Sequence, residues 1–167
     1  MTNDTELPNV REVLAPILAR VARDQQPLLV AAAERLAADR YRAWAADTAD
    51  AQRRTQLLAC AAREEDIARR IEALYPDAAA VQRDLVARIP ELELQTIYRS
   101  LFLDRSVAQQ FAIQASGERL GAATWRAFAA HAHSDEARTT FLACAELEEE
   151  SAAVLESFIA HRAAGAR

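Results

Sequence analysis

One stretch of this chain occurs twice. Residues 34–74, ERLAADRYRAWAADTADAQRRTQLLACAAREEDIARRIEAL, return as residues 118–158, ERLGAATWRAFAAHAHSDEARTTFLACAELEEESAAVLESF, with no gap. Arg35/Arg119, Arg42/Arg126, Leu58/Leu142, Cys60/Cys144, Glu64/Glu148 and Glu72/Glu156 all keep one offset of 84 residues. Self-similarity at a fixed offset marks a structural unit used more than once, so whatever the first copy folds into, the second should fold into as well.

The unit is helical. With Gly 3 and Pro 5 in 167 residues, abundant Ala and no Lys, the chain has helix-favouring composition and few residues suited to a sheet. Its length suits one domain with its own core, and the whole of 1–167 is read as a single domain. A net charge of −5 with acids and Arg interspersed offers no basic face, so nucleic acid is not an expected partner. The opening MTNDTELPNV lacks the charged and apolar regions of a signal peptide, and no apolar run approaches the roughly 18 residues of a membrane span. The expected compartment is the cytoplasm, where Cys60 and Cys144 would be reduced thiols.

Along the chain, residues 1–7 read as a polar leader. A first helical pattern follows, Val10, Val13, Leu14, Ile17, Leu18 and Val21, with Pro16 as an expected kink or break. Pro27 fits the first turn of a long helix over 26–47, whose apolar stripe is Val30, Ala33, Ala37, Tyr41, Trp44 and Ala45. Asp50 and, at the equivalent repeat position, Ser134 are N-cap residues for the helices that follow. Those helices cover about 51–74, with Leu57, Ala61, Ala68, Ile71 and Tyr75 inward, and about 135–161, with Phe141, Ala145, Ala152, Leu155 and Ile159 inward. Between them, a helix over 107–132 carries Phe111, Ala115, Ala122, Trp125 and Phe128. The repeat reaches back more weakly through Gln25-Gln26 and Gln109-Gln110, giving units of about 10–74 and 94–158.

Two helical hairpins that bury their stripes against each other make a four-helix bundle. The segment 76–106 is much longer than a loop between adjacent antiparallel helices, so it can climb the bundle and start the third long helix at the far end. The fold expected is therefore all-α, a four-helix bundle with a long crossover built from duplicated hairpins, plus short extra helices. The competing arrangement has the second long helix kinking at Pro76, continuing to Ile89 and turning at Pro90.

Four charges interrupt the apolar stripes: Glu34, Glu64, Glu118 and Glu148. Glu34 and Glu64 are equidistant from the turn at residue 49, as are Glu118 and Glu148 from residue 133, so antiparallel hairpins bring all four to one height. Carboxylates converging in a core need compensation, because desolvation and mutual repulsion each cost several kcal/mol, to order of magnitude. A bound cation, Arg partners such as Arg35, Arg42, Arg119 and Arg126, or protonation would each supply it.

These residues resemble the ferritin-like di-iron carboxylate proteins, rubrerythrins in particular, which carry a Glu on each of two helices and Glu-x-x-His on each of the other two. Tyr41, seven residues after Glu34, matches an aromatic of that family, and the runs Ala61 to Ala68 and Ala145 to Ala152 resemble its Glu-x-x-His-Ala signature. The resemblance spans about 26–161 and implies metal ligation by Glu34, Glu64, Glu118 and Glu148, with Tyr41 and Trp125 as the wall beside them. It departs from the family where the histidines belong, since Ile67 and Ser151 stand there. Oxygen ligands alone weaken the case for iron and favour manganese, magnesium or calcium.

Cys60 and Cys144, one turn before Glu64 and Glu148, read either as small core residues or as thiols meeting across the pseudo-twofold. His131, His133 and His161 fall at helix ends, far from mid-height; His131 and His133 could form at most a surface metal clip. Glu146, Glu149 and Glu150 read as a solvated face. No phosphate loop, nucleophile elbow or Cys-x-x-Cys is present, and no catalytic residue is identified. The expectation is a cytoplasmic ferritin-like protein with a redox or metal-handling role, holding iron or manganese, with an unidentified electron partner. The alternative is a metal-free structural or interaction module, dimeric through the short apolar helices; a homodimer is the expected assembly in general.

Overall fold

The computed structural model describes residues 7–89 and 91–165, with side chains at all of these except 91, 92, 94, 95 and 161–165. Pro90 and the His161 side chain, both singled out above, lie outside the described residues, as does most of the leader. Among the described residues the chain is all-α: α1 (Val10–Leu18), α2 (Gln26–Asp47), α3 (Ala51–Glu72), α4 (Ala78–Arg88), α5 (Glu91–Phe102), α6 (Val107–Ala130) and α7 (Asp135–Gly165). None of these helices is long and apolar enough to cross a membrane.

The helix starts follow the capping chemistry read from the sequence. Asp50 accepts from the backbone N–H groups of Gln52 and Arg53, Ser134 accepts from Ala137 N–H, and Pro27 occupies the first turn of α2. Each cap satisfies a donor that the helix itself leaves orphaned. One cap was not anticipated: at α6, Ser106 and Gln109 form a reciprocal capping box.

Three expectations need correction. Pro16 does not break α1, which runs on to Leu18, because the missing N–H falls near the helix end where few further bonds depend on it. The kinked continuation past Pro76 is absent: α3 stops at Glu72 and a separate α4 begins at Ala78. Ala33, placed in the stripe of α2, is exposed, while Ala37, Tyr41, Trp44 and Ala45 of that stripe are buried together with Leu28, Ala31, Glu34 and Ala38. In an Ala-rich helix the stripe cannot be positioned to one residue, since Ala carries little burial preference.

α2 packs along α3, α6 along α7, and α3 also against α7. The core divides into two main clusters, and each long helix passes from one to the other. α2 runs from Leu28 in the first cluster to Trp44 in the second, and α7 from Phe141 to Phe158 in the same sense. α3, from Leu57 to Ile71, and α6, from Phe111 to Trp125, run the opposite way. Residues 73–106 return the chain to the second cluster: α4 buries Ala78 and Leu85 in the first, while Phe102 of α5 packs its ring on Trp44 with centroids 6.5 Å apart.

The outer faces of the two hairpins carry the same ion pairs at the same offset. Arg35 bonds Glu65 and Glu72 while Arg42 bonds Glu65; Arg119 bonds Glu149 and Glu156 while Arg126 bonds Glu149.

Candidate metal centre

Between the two hydrophobic clusters lies a single polar layer. Each long helix contributes one glutamate to it, and all four are buried: Glu34 is 8% exposed, Glu118 2%, Glu148 1% and Glu64 0%. Carboxylate oxygens of Glu34, Glu64 and Glu148 all lie within 4.8 Å of one another. Glu118 completes the layer within hydrogen-bonding reach of Glu148.

The four acids are held differently. Glu118 Oε1 accepts from the Tyr41 hydroxyl at 2.7 Å and from Gln114 Nε2 at 2.6 Å. Glu148 Oε1 accepts from Trp125 Nε1 at 2.9 Å, and Glu64 Oε1 from Ser151 Oγ at 2.9 Å. Glu34 meets the carboxyls of Glu148 and Glu64. Glu64 Oε2 is buried without any hydrogen-bond partner.

Burial and crowding make Glu34, Glu64 and Glu148 weaker acids. Desolvation, with the charge of Glu118 second, pushes Glu34 up to about 8, against its contacts with Glu148 and Glu64 and the nearby cation Arg40. Glu64 and Glu148 are raised well above the ordinary carboxylate range, first by desolvation and then by their acidic neighbours. Desolvation, then the charge of Glu118, likewise raises Tyr41, so its phenol stays a donor.

The arginines expected to compensate the layer do not. Arg35, Arg42, Arg119 and Arg126 are taken up by the outer ion pairs, because each lies one residue beyond the inward positions on its helix and points to the flank. The nearer cations are Arg40 and Arg63, which the sequence reading missed. Arg40 donates from Nε to Gln114 Oε1 at 2.9 Å and lies over the Phe102 ring at 4.3 Å. Arg63 Nε donates to Ser151 Oγ at 3.2 Å, and that hydroxyl donates on to Glu64. In a chain whose cations are all Arg, nothing local separates these two from the rest. Gln114 was more legible, since it sits one turn before Glu118 on the same face.

Gly121 was also missed, although a glycine inside a helix costs roughly 1 kcal/mol relative to Ala and is itself a signal. A Cβ there would lie 2.7 Å from Glu148 Cδ, so the bare backbone makes room for the Glu148 carboxylate.

Ser151 and Ile67, three residues after Glu148 and Glu64, have separate roles. Ser151 orients Glu64, and Ile67 is a fully buried member of the first cluster. Cys60 and Cys144 are free and buried in different clusters, with burial raising their thiols to about 11 and about 12; they are small core residues. His131 ends α6 and is exposed, as is His133.

The donor set at the layer is all oxygen, which suits a hard divalent cation, and the unpartnered Glu64 Oε2 is the kind of atom such a cation would satisfy. Set beside protein-family models, curated proteins and solved structures, the chain matches none of them.

Proposed function

We propose that this protein is a ferritin-like four-helix bundle that binds a hard divalent cation, manganese or iron, in its carboxylate layer and serves a metal-handling or redox role. The single observation that carries the reading is Glu64 Oε2, fully buried and unpartnered, beside oxygens of Glu34 and Glu148 within 4.8 Å. An unmet buried acceptor costs roughly 1–3 kcal/mol, and a cation would remove that cost while letting three crowded acids ionise together. The fold half of the reading is supported by the antiparallel pairs α2/α3 and α6/α7, by α3 and α6 running in the same sense, and by α4 and α5 joining the two pairs along the chain.

Glu34, Glu64 and Glu148 would be the ligands. Glu118, with one oxygen engaged by both Tyr41 and Gln114, is less free to turn and would contribute its other oxygen or its charge alone. Bound manganese or iron would supply Lewis acidity and one-electron chemistry. The chain's own residues hold the acids in place: Trp125 fixes Glu148, Ser151 fixes Glu64, and two hydrophobic clusters keep water from both sides. Pairing of two chains through the short helices belongs to this reading, supported by the exposed Leu14 and Tyr98.

A metal-free module is the second reading. It is favoured by the value of about 8 at Glu34, which lets a shared proton take the place of the cation at neutral pH. Elemental analysis separates the two, using protein made without chelators or metal-chelating resin. Manganese or iron near one equivalent, lost in Glu64→Gln and reduced in Gly121→Ala, is the expected outcome. No retained metal, with a Glu34→Ala/Glu118→Ala variant as stable as the parent or more so, overturns the metal-binding reading.

A further inference from the structure

The end of the molecule at the α2–α3 turn holds a cavity of about 390 Å³ that lies away from the carboxylate layer. Its walls are apolar, from Trp44, Leu57, Phe111 and Val107, and its polar lining includes Arg53 and Asp47. The duplication shows why it is open. At the matching end of the second hairpin, Phe128 and Phe141 pack on Trp125 with ring centroids 5.6 and 5.9 Å away, and on each other at 5.9 Å. The first hairpin has Trp44 and Leu57 at those two positions, so one ring is missing, and it has Arg53 where the second has Ala137.

Arg53 brings to this apolar space a cation that is not bridged to Asp47 of the same lining. It makes no ion pair among the described residues, its Nε is buried with no hydrogen-bond partner, and its guanidinium stacks 5.0 Å above the Phe158 ring. Stacking fixes the plane of the fork while leaving it unpaired, an arrangement suited to a carboxylate. Asp50, the N-cap of its helix, feels the Arg53 charge but spends Oδ1 on the Gln52 and Arg53 backbone N–H groups and forms no ion pair with the Arg53 guanidinium. The Trp44 indole N–H is also taken, by Gln110 Oε1 at 2.9 Å, so that ring offers only its apolar faces.

We propose that this cavity binds a small organic monocarboxylate, its acid group paired with Arg53 and its apolar body against Trp44, Leu57 and Phe111. The size falls at the lower end of ligand pockets, roughly 300–1,000 Å³, which selects a compact ligand. Asp47 in the same lining disfavours a phosphate or other multiply charged group. The body must be apolar because it replaces the phenyl ring that closes the other end.

The test uses the full chain and 3-phenylpropionate as probe, with calorimetry and tryptophan emission as readouts. Its uncharged counterpart, 3-phenyl-1-propanol, reports the contribution of the carboxylate. Saturable binding of the acid is expected, with the alcohol weaker by about tenfold or more, the loss associated with a charge-assisted hydrogen bond. Arg53→Gln should weaken the acid by a similar factor, and Leu57→Phe, which restores the missing ring, should exclude both probes. Circular dichroism and thermal melting confirm that each variant is folded, and Arg53→Gln, at a half-buried site, keeps the test decisive if Leu57→Phe misfolds. No saturation by the acid into the low-millimolar range, equal binding of acid and alcohol, or full binding by folded Leu57→Phe overturns the proposal.

Discussion

The two hairpins are alike outside and unlike inside. On their outer faces, Arg35 with Glu65 and Glu72 repeats as Arg119 with Glu149 and Glu156. Around the buried glutamates the copies part. Tyr41 of α2 reaches across to Glu118, but Trp125, at the equivalent position in α6, donates to Glu148 on its own hairpin partner rather than to Glu34. Gln114 stands where the first copy has Val30, Ser151 where it has Ile67, and Gly121 where it has Ala37. The result is a layer in which Glu118 has two neutral donors, Glu64 and Glu148 one each, and Glu34 other acids. The two similar hairpins thus keep like flanks around an interior that is one-sided.

The largest consequence should appear in the pH dependence of the metal-free protein. Glu34 rises to about 8 from an ordinary value of 4.5, so between these limits the folded chain binds protons more tightly than the unfolded one. Stability therefore falls as pH climbs from about 4.5 through about 8, by on the order of a few kcal/mol, opposite to the usual carboxylate trend. Denaturant titrations with EDTA at pH 5, 6.5 and 8 would read the decline, and Glu34→Gln should lessen it, leaving the share of Glu64 and Glu148. A constant midpoint across the series would mean that the layer is solvated or otherwise compensated.

The next effect compares the two aromatic donors. Trp125→Phe keeps much of the buried ring but removes the N–H bonded to Glu148, at a cost of about 1–3 kcal/mol. Tyr41→Phe should cost less, because Gln114 still donates to the same oxygen of Glu118. Thermal or denaturant melting of the two variants orders them. The reverse order would show that Gln114 does not share the load.

The smallest effect should also be the most symmetric. Arg35→Ala and Arg119→Ala each remove a partly exposed ion-pair hub, and each should cost about 1 kcal/mol or less, by similar amounts. Melting temperatures that diverge between the two would break the likeness of the outer faces.

Much of this was legible in the order of residues. Asp50, Ser134 and Pro27 mark helix starts through local hydrogen bonding and fixed φ, so their roles could be read without knowing what packs nearby. Glu34, Glu64, Glu118 and Glu148 stood out because each breaks an apolar stripe at a symmetric distance from its turn. Their common burial follows from helix periodicity alone. Ala33 failed for the same kind of reason, since an Ala-rich face gives periodicity little contrast.

What the sequence by itself determined is the local: which segments are helical, where they begin, and which four acids face inward, all set by spacing of 3.6 residues and by caps within a turn. Only the tertiary structure decided the partners. That Arg40 and Arg63 rather than Arg35 or Arg119 lie nearest the layer, that Trp125 serves Glu148, that Gly121 leaves room for a carboxylate, and that Leu57 leaves a cavity beside Arg53 depend on how helices distant in sequence are set against each other. Hydrogen bonds and close packing change sign over about an ångström, and no periodicity along one helix carries that information about its neighbour.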